Sequence, residues 1–184
     1  MGLRNRIKYN LLQNRFFFVT TTVEGYRNIF INDVYCDILI KNIKHYQARY
    51  RFTIYGYVIM PSHFHMLTEI NPEFGTISDI MRDIKKYSAW DILEQLEKDK
   101  LLILTEYFGK AAKGINDQKR KFWMHRFDDE FIRDEKMFYT KLSYIHNNPV
   151  KSGLAKTIAD YKYSSARNYY LDDQSIITIE TKLN

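Results

Sequence analysis

The 184-residue chain contains little cysteine, glycine or proline, and it has no long apolar run. Its single cysteine, Cys36, excludes a disulfide scaffold and any zinc site that is built from cysteines. The seven glycines and three prolines are about half of what average usage gives. No stretch approaches the ~20 apolar residues that span a membrane, and residues 1–6 lack the apolar core of a signal peptide. We therefore expect a cytoplasmic protein with no membrane partner.

The residues that are abundant indicate one folded domain with a basic surface. Hydrophobic residues make up 45% of the chain, which is too many for a disordered protein. A chain of this length buries roughly 70% of its unfolded surface, enough for one sizeable core. The 28 Lys and Arg residues against 22 Asp and Glu residues give a net charge of +6, which hints at a polyanionic partner. The aromatic content of 16% suits either nucleic-acid binding or core packing.

Hydrophobic periodicity predicts the order strand, helix, strand, strand, helix, strand, helix. The predicted strands are residues 15–23, 52–60, 63–70 and part of 127–133. The predicted helices are one that Asn32 or Asp33 can cap, with an apolar stripe over residues 31–46, and two at residues 76–97 and 135–148. Asp134 caps the last helix, and Pro149 ends it because a proline ring disfavours helical geometry at the preceding residue. This order is that of the ferredoxin-like arrangement, an α+β fold in which helices cover one face of an antiparallel sheet.

Two segments have no clear periodicity. Residues 110–121 carry five basic side chains against only Asp117, so we interpret residues 109–121 as a basic loop. Such a loop is either simply solvated or in contact with a DNA backbone. Residues 151–184 are predicted to form a loop, a short helix and a tail. We therefore expect one domain over residues 1–170 and a C-terminal tail over residues 171–184.

A histidine pair lies inside the third predicted strand, in the order His63-Phe64-His65. Because side chains alternate along a strand, His63 and His65 point to one face while Phe64 points to the other. Two imidazoles on one face can ligate one divalent transition ion, including Mn²⁺. They can equally be two partly exposed histidines, and spacing alone supplies no third ligand except Glu69 on the same face.

The last strong helix carries a tyrosine and an amide on one face, since Tyr144 and Asn148 are four residues apart. A tyrosine at this position can serve as a nucleophile beside a metal ligand. It can also be a packing residue, with Asn148 serving the end of the helix. Nothing internal to the sequence distinguishes Tyr144 among 15 tyrosines.

Several segments taken together resemble the HUH-class single-tyrosine transposases, most closely the REP-associated branch of the IS200-like superfamily. The most specific matches are Gly-Tyr-Val-Ile-Met-Pro-Ser-His-Phe-His at residues 56–65 and Tyr-Ile-His-Asn-Asn-Pro-Val-Lys-Ser-Gly-Leu at residues 144–154. Weaker matches lie at residues 80–87, 123–134 and 163–166, and the resemblance covers roughly residues 10–170. Met124 departs from the pattern, because the family often has Gln after the Trp that corresponds to Trp123.

The resemblance implies an enzyme that cleaves and rejoins single-stranded DNA with hairpin ends through a 5′-phosphotyrosine intermediate. Tyr144 matches the nucleophile, and the implied ligands of Mg²⁺ or Mn²⁺ are His63, His65 and Asn148. Both monomers and homodimers occur in the wider class. Basic residues on the long helix, near the nucleophile and in the basic loop are candidate DNA contacts. These candidates, each of which can equally be solvated or ion-paired, are Lys85, Lys86, Arg126, Arg133, Lys119, Arg120 and Lys121.

Two other functions remain open from the sequence. A non-catalytic single-stranded nucleic-acid-binding module is one, since ferredoxin-like sheets also bind RNA. Such a module would bind nucleic acid without a metal ion and would not cleave it. A metal-dependent phosphodiesterase that uses water is the other, and it would keep its activity when Tyr144 is replaced by Phe.

Overall fold

The computed structural model describes residues 15–114 and 119–183, and it contains a four-stranded antiparallel sheet. The strands are β1 (Phe16–Thr22), β2 (Thr53–Met60), β3 (His63–Glu69) and β4 (Asp128–Phe131). Their order across the sheet is β2-β3-β1-β4, so β2 and the short, acidic β4 form the edges. The prediction of an α+β fold with an antiparallel sheet is confirmed.

The described residues form five α-helices around the sheet. They are α1 (Asp33–Tyr50), α2 (Ile77–Lys98), α3 (Leu102–Ala111), α4 (Glu135–Lys151) and α5 (Ala166–Leu171). Side chains cap the three long helices, because the first turn of a helix leaves N–H groups without partners. Asn32 Oδ1 accepts from Val34 N at the start of α1, and Thr76 forms a capping box with Asp79 at the start of α2. Asp134 accepts from Met137 N at the start of α4, as predicted.

The sheet has a hydrophobic cluster on each face. On one face, α1 and α2 pack against inward-facing strand residues such as Val19, Phe64 and Met66. On the other face, α4 packs with Phe138, Leu142 and Ile145 on residues of β1, β2 and β3. Helix α4 therefore lies across the sheet from α1 and α2.

Three local predictions were wrong. Helix α4 does not end before Pro149 but continues through it to Lys151. Pro149 lies only two residues from the end of the helix and is buried, so tertiary packing outweighs the one backbone hydrogen bond that it removes. Residues 109–111, predicted as loop, belong to α3, a helix that periodicity did not indicate because only Phe108 is buried along it. Ile31 and Val34 were assigned to the apolar stripe of α1 but are exposed. Residues 115–118 of the expected basic loop lie outside the described residues.

The C-terminal segment covers the β2 edge of the sheet. Ile59 N donates to Tyr163 O, Ser165 N donates to Tyr57 O, and Glu180 N donates to Ile54 O. Ile177 and Ile179, in the stretch predicted as a tail, are buried in the same cluster as α1 and α2. In the described part of the chain, no helix is long and apolar enough to cross a membrane. A cytoplasmic location stays an expectation.

Candidate active site

The histidine pair of β3 lies on the face of the sheet that α4 covers. His65 is paired in register with Thr20 of β1 and Val58 of β2, and His63 lies two pairs away, at the start of β3. The centres of the two imidazole rings are 4.9 Å apart. Between them, Phe64 points into the opposite cluster and is fully buried. Because side chains alternate along the strand, both imidazoles lie on one face, and Phe64 anchors the strand in the core on the opposite face.

His65 is held as a neutral imidazole with one nitrogen engaged and one free. Its Nδ1 lies 2.8 Å from the Oγ1 of Thr20. Its Nε2 is buried and has no hydrogen-bond partner among the residues that the structure describes. Burial lowers the pKa of His65 to about 3, with smaller contributions from His63 and Lys141. A buried nitrogen lone pair without a partner is costly, and a metal ion is one partner that can satisfy it.

His63 is also suited to remain uncharged. Burial lowers its pKa below the ordinary value, and its Nδ1 lies 3.2 Å from the Oγ of Ser62. Within residues 15–114 and 119–183, no group of three His, Cys, Asp or Glu side chains is placed to hold a metal ion. Glu69, the only acidic candidate on this strand face, instead accepts a hydrogen bond from the Tyr55 hydroxyl. A metal site that uses both imidazoles and the amide of Asn148 stays a prediction.

Helix α4 brings Tyr144 directly onto this site. The Tyr144 ring meets the His65 ring edge to face with 5.1 Å between centres, and it meets Phe18 in the same way at 5.9 Å. Tyr144 is 43% exposed, so part of the residue remains accessible from outside. Asn148 lies one turn further along α4 and is 9% exposed, and its Oδ1 is 3.5 Å from the Ser152 Oγ. The structure thus joins His63, His65 and Tyr144, and it places Asn148 on the same helix.

A family model described as "Transposase IS200 like" matches residues 12–148. The chain belongs to the IS200-like transposase family. It is therefore a transposase, and the match spans both the histidine strand and most of α4.

Two curated relatives of this transposase carry a more specific name. A Haemophilus influenzae protein named as a REP-associated tyrosine transposase is 26% identical over 155 residues, covering 81% of this chain and 78% of the relative. The REP-associated tyrosine transposase of Escherichia coli is 25% identical over 114 residues, covering 62% of this chain and 54% of the relative.

A solved structure shares the fold of this transposase. It is a REP-associated tyrosine transposase bound to a REP hairpin, and it superimposes with a TM-score of 0.62. The match has 22% sequence identity and covers 93% of this chain and 88% of the solved one. The likeness extends the fold assignment beyond the family match to nearly the whole chain.

Five of the seven basic residues predicted to contact DNA line one groove. The groove has a volume of about 610 Å³ and lies between α2 and the segment 119–125. Its predicted residues are Lys85, Lys86, Lys119, Arg120 and Lys121. Arg126 and Arg133 are exposed and are not part of its lining. The role of all seven in DNA binding stays a prediction.

These basic residues differ in the ion pairs and hydrogen bonds that they already form. Arg120 pairs with Glu97 at 2.6 Å and Lys121 with Glu24 at 2.9 Å. Lys85 donates to the carbonyl oxygens of Met124 and His125, and burial lowers its pKa to about 8. Lys85 therefore fixes the chain before β4 to α2.

Sequence reasoning missed three residues that shape the site. Thr20 contacts His65, but this pairing depends on the register between β1 and β3 and has no local signal. Lys141 forms an ion pair with Glu130 of β4, and its Nζ lies 4.6 Å from the centre of the Phe18 ring. His146 is buried with its Nε2 3.0 Å from the Oγ of Ser165, which ties α4 to the segment that covers β2. For His146, its place inside the matched segment 144–154 was the available signal.

Proposed function

We propose that this transposase cleaves and rejoins single-stranded DNA with hairpin ends through a covalent bond between Tyr144 and a 5′-phosphate. One observation carries the proposal: the accessible Tyr144 ring contacts the buried His65, whose Nε2 has no partner among the described residues. The hairpin is inferred from the solved relative, which is bound to a REP hairpin. The names of the curated relatives support tyrosine as the nucleophile.

The proposed reaction is a pair of transesterifications. The Tyr144 Oη loses its proton and attacks the phosphorus of one phosphodiester, so that an Oη–P bond forms. The bond from phosphorus to the 3′-oxygen breaks, and that oxygen leaves as a free 3′-OH after taking a proton. The phosphate stays on the 5′-carbon of the downstream strand. In rejoining, a 3′-OH attacks the same phosphorus and Tyr144 leaves as the phenol, so no nucleotide cofactor is consumed.

His63, His65 and Asn148 are the side chains that we propose to hold Mg²⁺ or Mn²⁺. An ion bound there supplies positive charge that polarises the scissile phosphate and offsets charge developing on it. Burial keeps both imidazoles neutral and the amide is uncharged, so this set leaves the full charge of the ion available. Thr20 holds the His65 ring through Nδ1, which leaves Nε2 free to coordinate the ion.

Helix α4 also offers groups that can hold the DNA strand beside Tyr144. An open depression of about 600 Å³ is lined by Lys136, Tyr139, Tyr144 and Lys151, together with neighbouring polar residues of the helix. Lysines suit phosphate as mobile point charges. We propose that they orient the scissile phosphate toward the Tyr144 hydroxyl.

Replacement of Tyr144 tests the nucleophile. Wild-type protein incubated with hairpin-bearing single-stranded DNA and Mn²⁺ is expected to form an adduct that survives denaturing electrophoresis. Tyr144→Phe abolishes the adduct because it removes only the attacking oxygen. Tyr139→Phe is the matched control, since Tyr139 is exposed on the same helix and lines the same depression.

The control variant is expected to keep the adduct. An adduct that persists in Tyr144→Phe contradicts the assignment of the nucleophile. Metal-independent binding without any adduct in the wild type indicates a non-catalytic binding module instead. Cleavage that Tyr144→Phe retains without an adduct indicates a phosphodiesterase that uses water.

The ligand set predicts weak Mn²⁺ binding in the absence of DNA, with Mn²⁺ preferred to Mg²⁺. Mg²⁺ favours oxygen ligands and keeps its waters, whereas imidazole suits Mn²⁺. Calorimetry is expected to show this binding in the wild type and its loss in His65→Ala. The matched control is His45→Ala, which is exposed on α1. Tight Mg²⁺ binding without DNA, or Mn²⁺ binding that His65→Ala leaves unchanged, contradicts the ligand set.

A further inference from the structure

We propose that the groove between α2 and the segment 119–125 binds an unpaired stretch of the DNA strand, with one base stacked on Trp90. The inference rests on the proposed function in one respect, namely that the ligand is single-stranded DNA. The groove lies beside α2, which packs on the face of the sheet opposite to α4 and Tyr144. It is therefore a second contact with the strand, separate from the site of cleavage.

Trp90 is a large aromatic surface left open to solvent. Its side chain is 57% exposed, whereas the other tryptophan, Trp123, is 5% exposed and donates its Nε1 hydrogen to Ser88 Oγ at 3.1 Å. Tyr87 meets the Trp90 ring edge to face at 5.1 Å, and Lys86 Nζ lies 4.8 Å from its centre. Such neighbours hold the indole plane in place. Every base has a π-face that can stack on an exposed ring of this kind.

The charges around Trp90 match a phosphate backbone. Five basic side chains line the groove against two acidic ones, Glu94 and Glu97. Both carboxylates are already paired, Glu94 with Lys98 at 2.7 Å and Glu97 with Arg120 at 2.6 Å. Lys86 forms no ion pair with any residue that the structure describes. The groove therefore presents excess positive charge beside an open ring, which is the pattern that tracks single-stranded nucleic acid.

The walls of the groove are fixed by hydrogen bonds and by packing of Trp123. Lys85 Nζ bonds the carbonyl oxygens of Met124 at 2.9 Å and His125 at 3.3 Å. Trp123 forms an isolated bridge with Val23 next to the sheet, and its ring stacks with Phe30. Because these contacts already order the wall, binding of a ligand costs little conformational entropy, which favours affinity. Stacking also selects unpaired DNA, because a base inside a duplex already stacks on its neighbours.

Binding measurements with three probes test the groove. The probes are oligo(dT), an abasic strand of the same length and a blunt duplex of the same length. Trp90→Leu is expected to weaken oligo(dT) binding about tenfold, as the loss of one stacked base predicts. It leaves binding of the abasic strand and the duplex unchanged, because neither presents an unpaired base. Trp90→Tyr keeps an aromatic face and retains most of the affinity, and Tyr170→Leu, an exposed aromatic residue on α5, is the matched control.

Tryptophan fluorescence gives an independent measurement. Oligo(dT) is expected to quench the emission of the wild type and not that of Trp90→Phe, in which only the buried Trp123 emits. Equal oligo(dT) affinity in the wild type and Trp90→Leu, or an equal loss on the abasic strand, overturns the proposal. An adduct at Tyr144 together with no effect of Trp90→Leu refutes the groove and leaves the proposed function standing. Weaker oligo(dT) binding in Trp90→Leu without any adduct in the wild type supports the groove and refutes the proposed function.

Discussion

The hydrogen bond between Thr20 and His65 determines which imidazole nitrogen is free. A neutral imidazole carries one N–H and one lone pair. If Nδ1 holds the proton, it donates to Thr20 Oγ1 over 2.8 Å, and Nε2 presents its lone pair toward the site. Burial keeps the ring in this uncharged state, since it lowers the pKa of His65 to about 3. We therefore expect Thr20 to be a positioning residue, which acts on the proposed site through His65.

Removal of the Thr20 hydroxyl tests this role. Thr20→Val keeps the shape and the β-branch but loses the hydrogen bond, so Mn²⁺ affinity and the rate of adduct formation are expected to fall about 10- to 100-fold. Thr20→Ser keeps the hydroxyl and is expected to restore both. Calorimetry and adduct time courses measure the two effects, and denaturant unfolding shows whether the variants are folded. Equal Mn²⁺ affinity in Thr20→Val and the wild type contradicts the role.

Helix α4 reaches its position because β2 has no side chain at Gly56. A Cβ atom there would lie 2.8 Å from Leu142 Cδ1 and 3.3 Å from Ile145 Cδ1, which is too close for the present packing. A second tie runs through Ser165 Oγ, which lies 3.0 Å from His146 Nε2 and accepts from Tyr57 N at 2.9 Å. The close approach and the tie fix α4 over the histidine strand.

A methyl group at Gly56 is expected to displace α4. Gly56→Ala overpacks the contact with Leu142 and is expected to lower the free energy of unfolding by about 1–3 kcal/mol. It is also expected to slow adduct formation, because Tyr144 moves with the helix. Leu142→Val makes room for the methyl group, so the double variant is expected to be less destabilised than the sum of the single ones.

Denaturant unfolding of the wild type, the two single variants and the double variant measures the coupling between residues 56 and 142. The rate of adduct formation is measured on the same four proteins. Strictly additive destabilisation contradicts the close-approach account. So does a Gly56→Ala variant that forms the adduct as fast as the wild type.

The whole molecule places two proposed DNA contacts on opposite sides of one sheet. Tyr144 on α4 and the histidine pair lie on one side, and the Trp90 groove lies beside α2 on the other. The chain itself connects them, since it leaves the groove after residue 125, forms the edge strand β4 and enters α4. We expect a bound strand that contacts both to pass the β4 edge of the sheet, because the C-terminal segment covers the β2 edge.

Much of this arrangement was predictable from local patterns. Strand alternation put His63 and His65 on one face, and Asp134 marked the start of α4. Both features depend only on neighbouring residues, which is why periodicity and capping preferences find them. The pairing of Tyr144 with the histidines came from resemblance to a family, because the two segments are far apart in the chain.

The features that were not predictable depend on tertiary contacts. Pro149 remains helical because it is buried, which a rule about isolated prolines does not include. Thr20 meets His65 across a sheet register that joins residues 45 positions apart. Lys85 holds one wall of the groove by donating to carbonyl groups about 40 residues further along, and composition does not predict that contact. Trp90 is exposed and Trp123 is buried, and this difference has no local signal in the sequence.

Mass spectrometry of the trapped adduct tests the central claim most directly. After nuclease and trypsin digestion of wild-type protein that has reacted with hairpin-bearing DNA and Mn²⁺, the peptide 142–151 contains Tyr144 as its one tyrosine. The neighbouring peptide 137–141 contains Tyr139 instead. We expect a nucleotide joined through its 5′-phosphate to the peptide 142–151 and to no other. A nucleotide on the peptide 137–141, or cleaved DNA without any modified peptide, would contradict it.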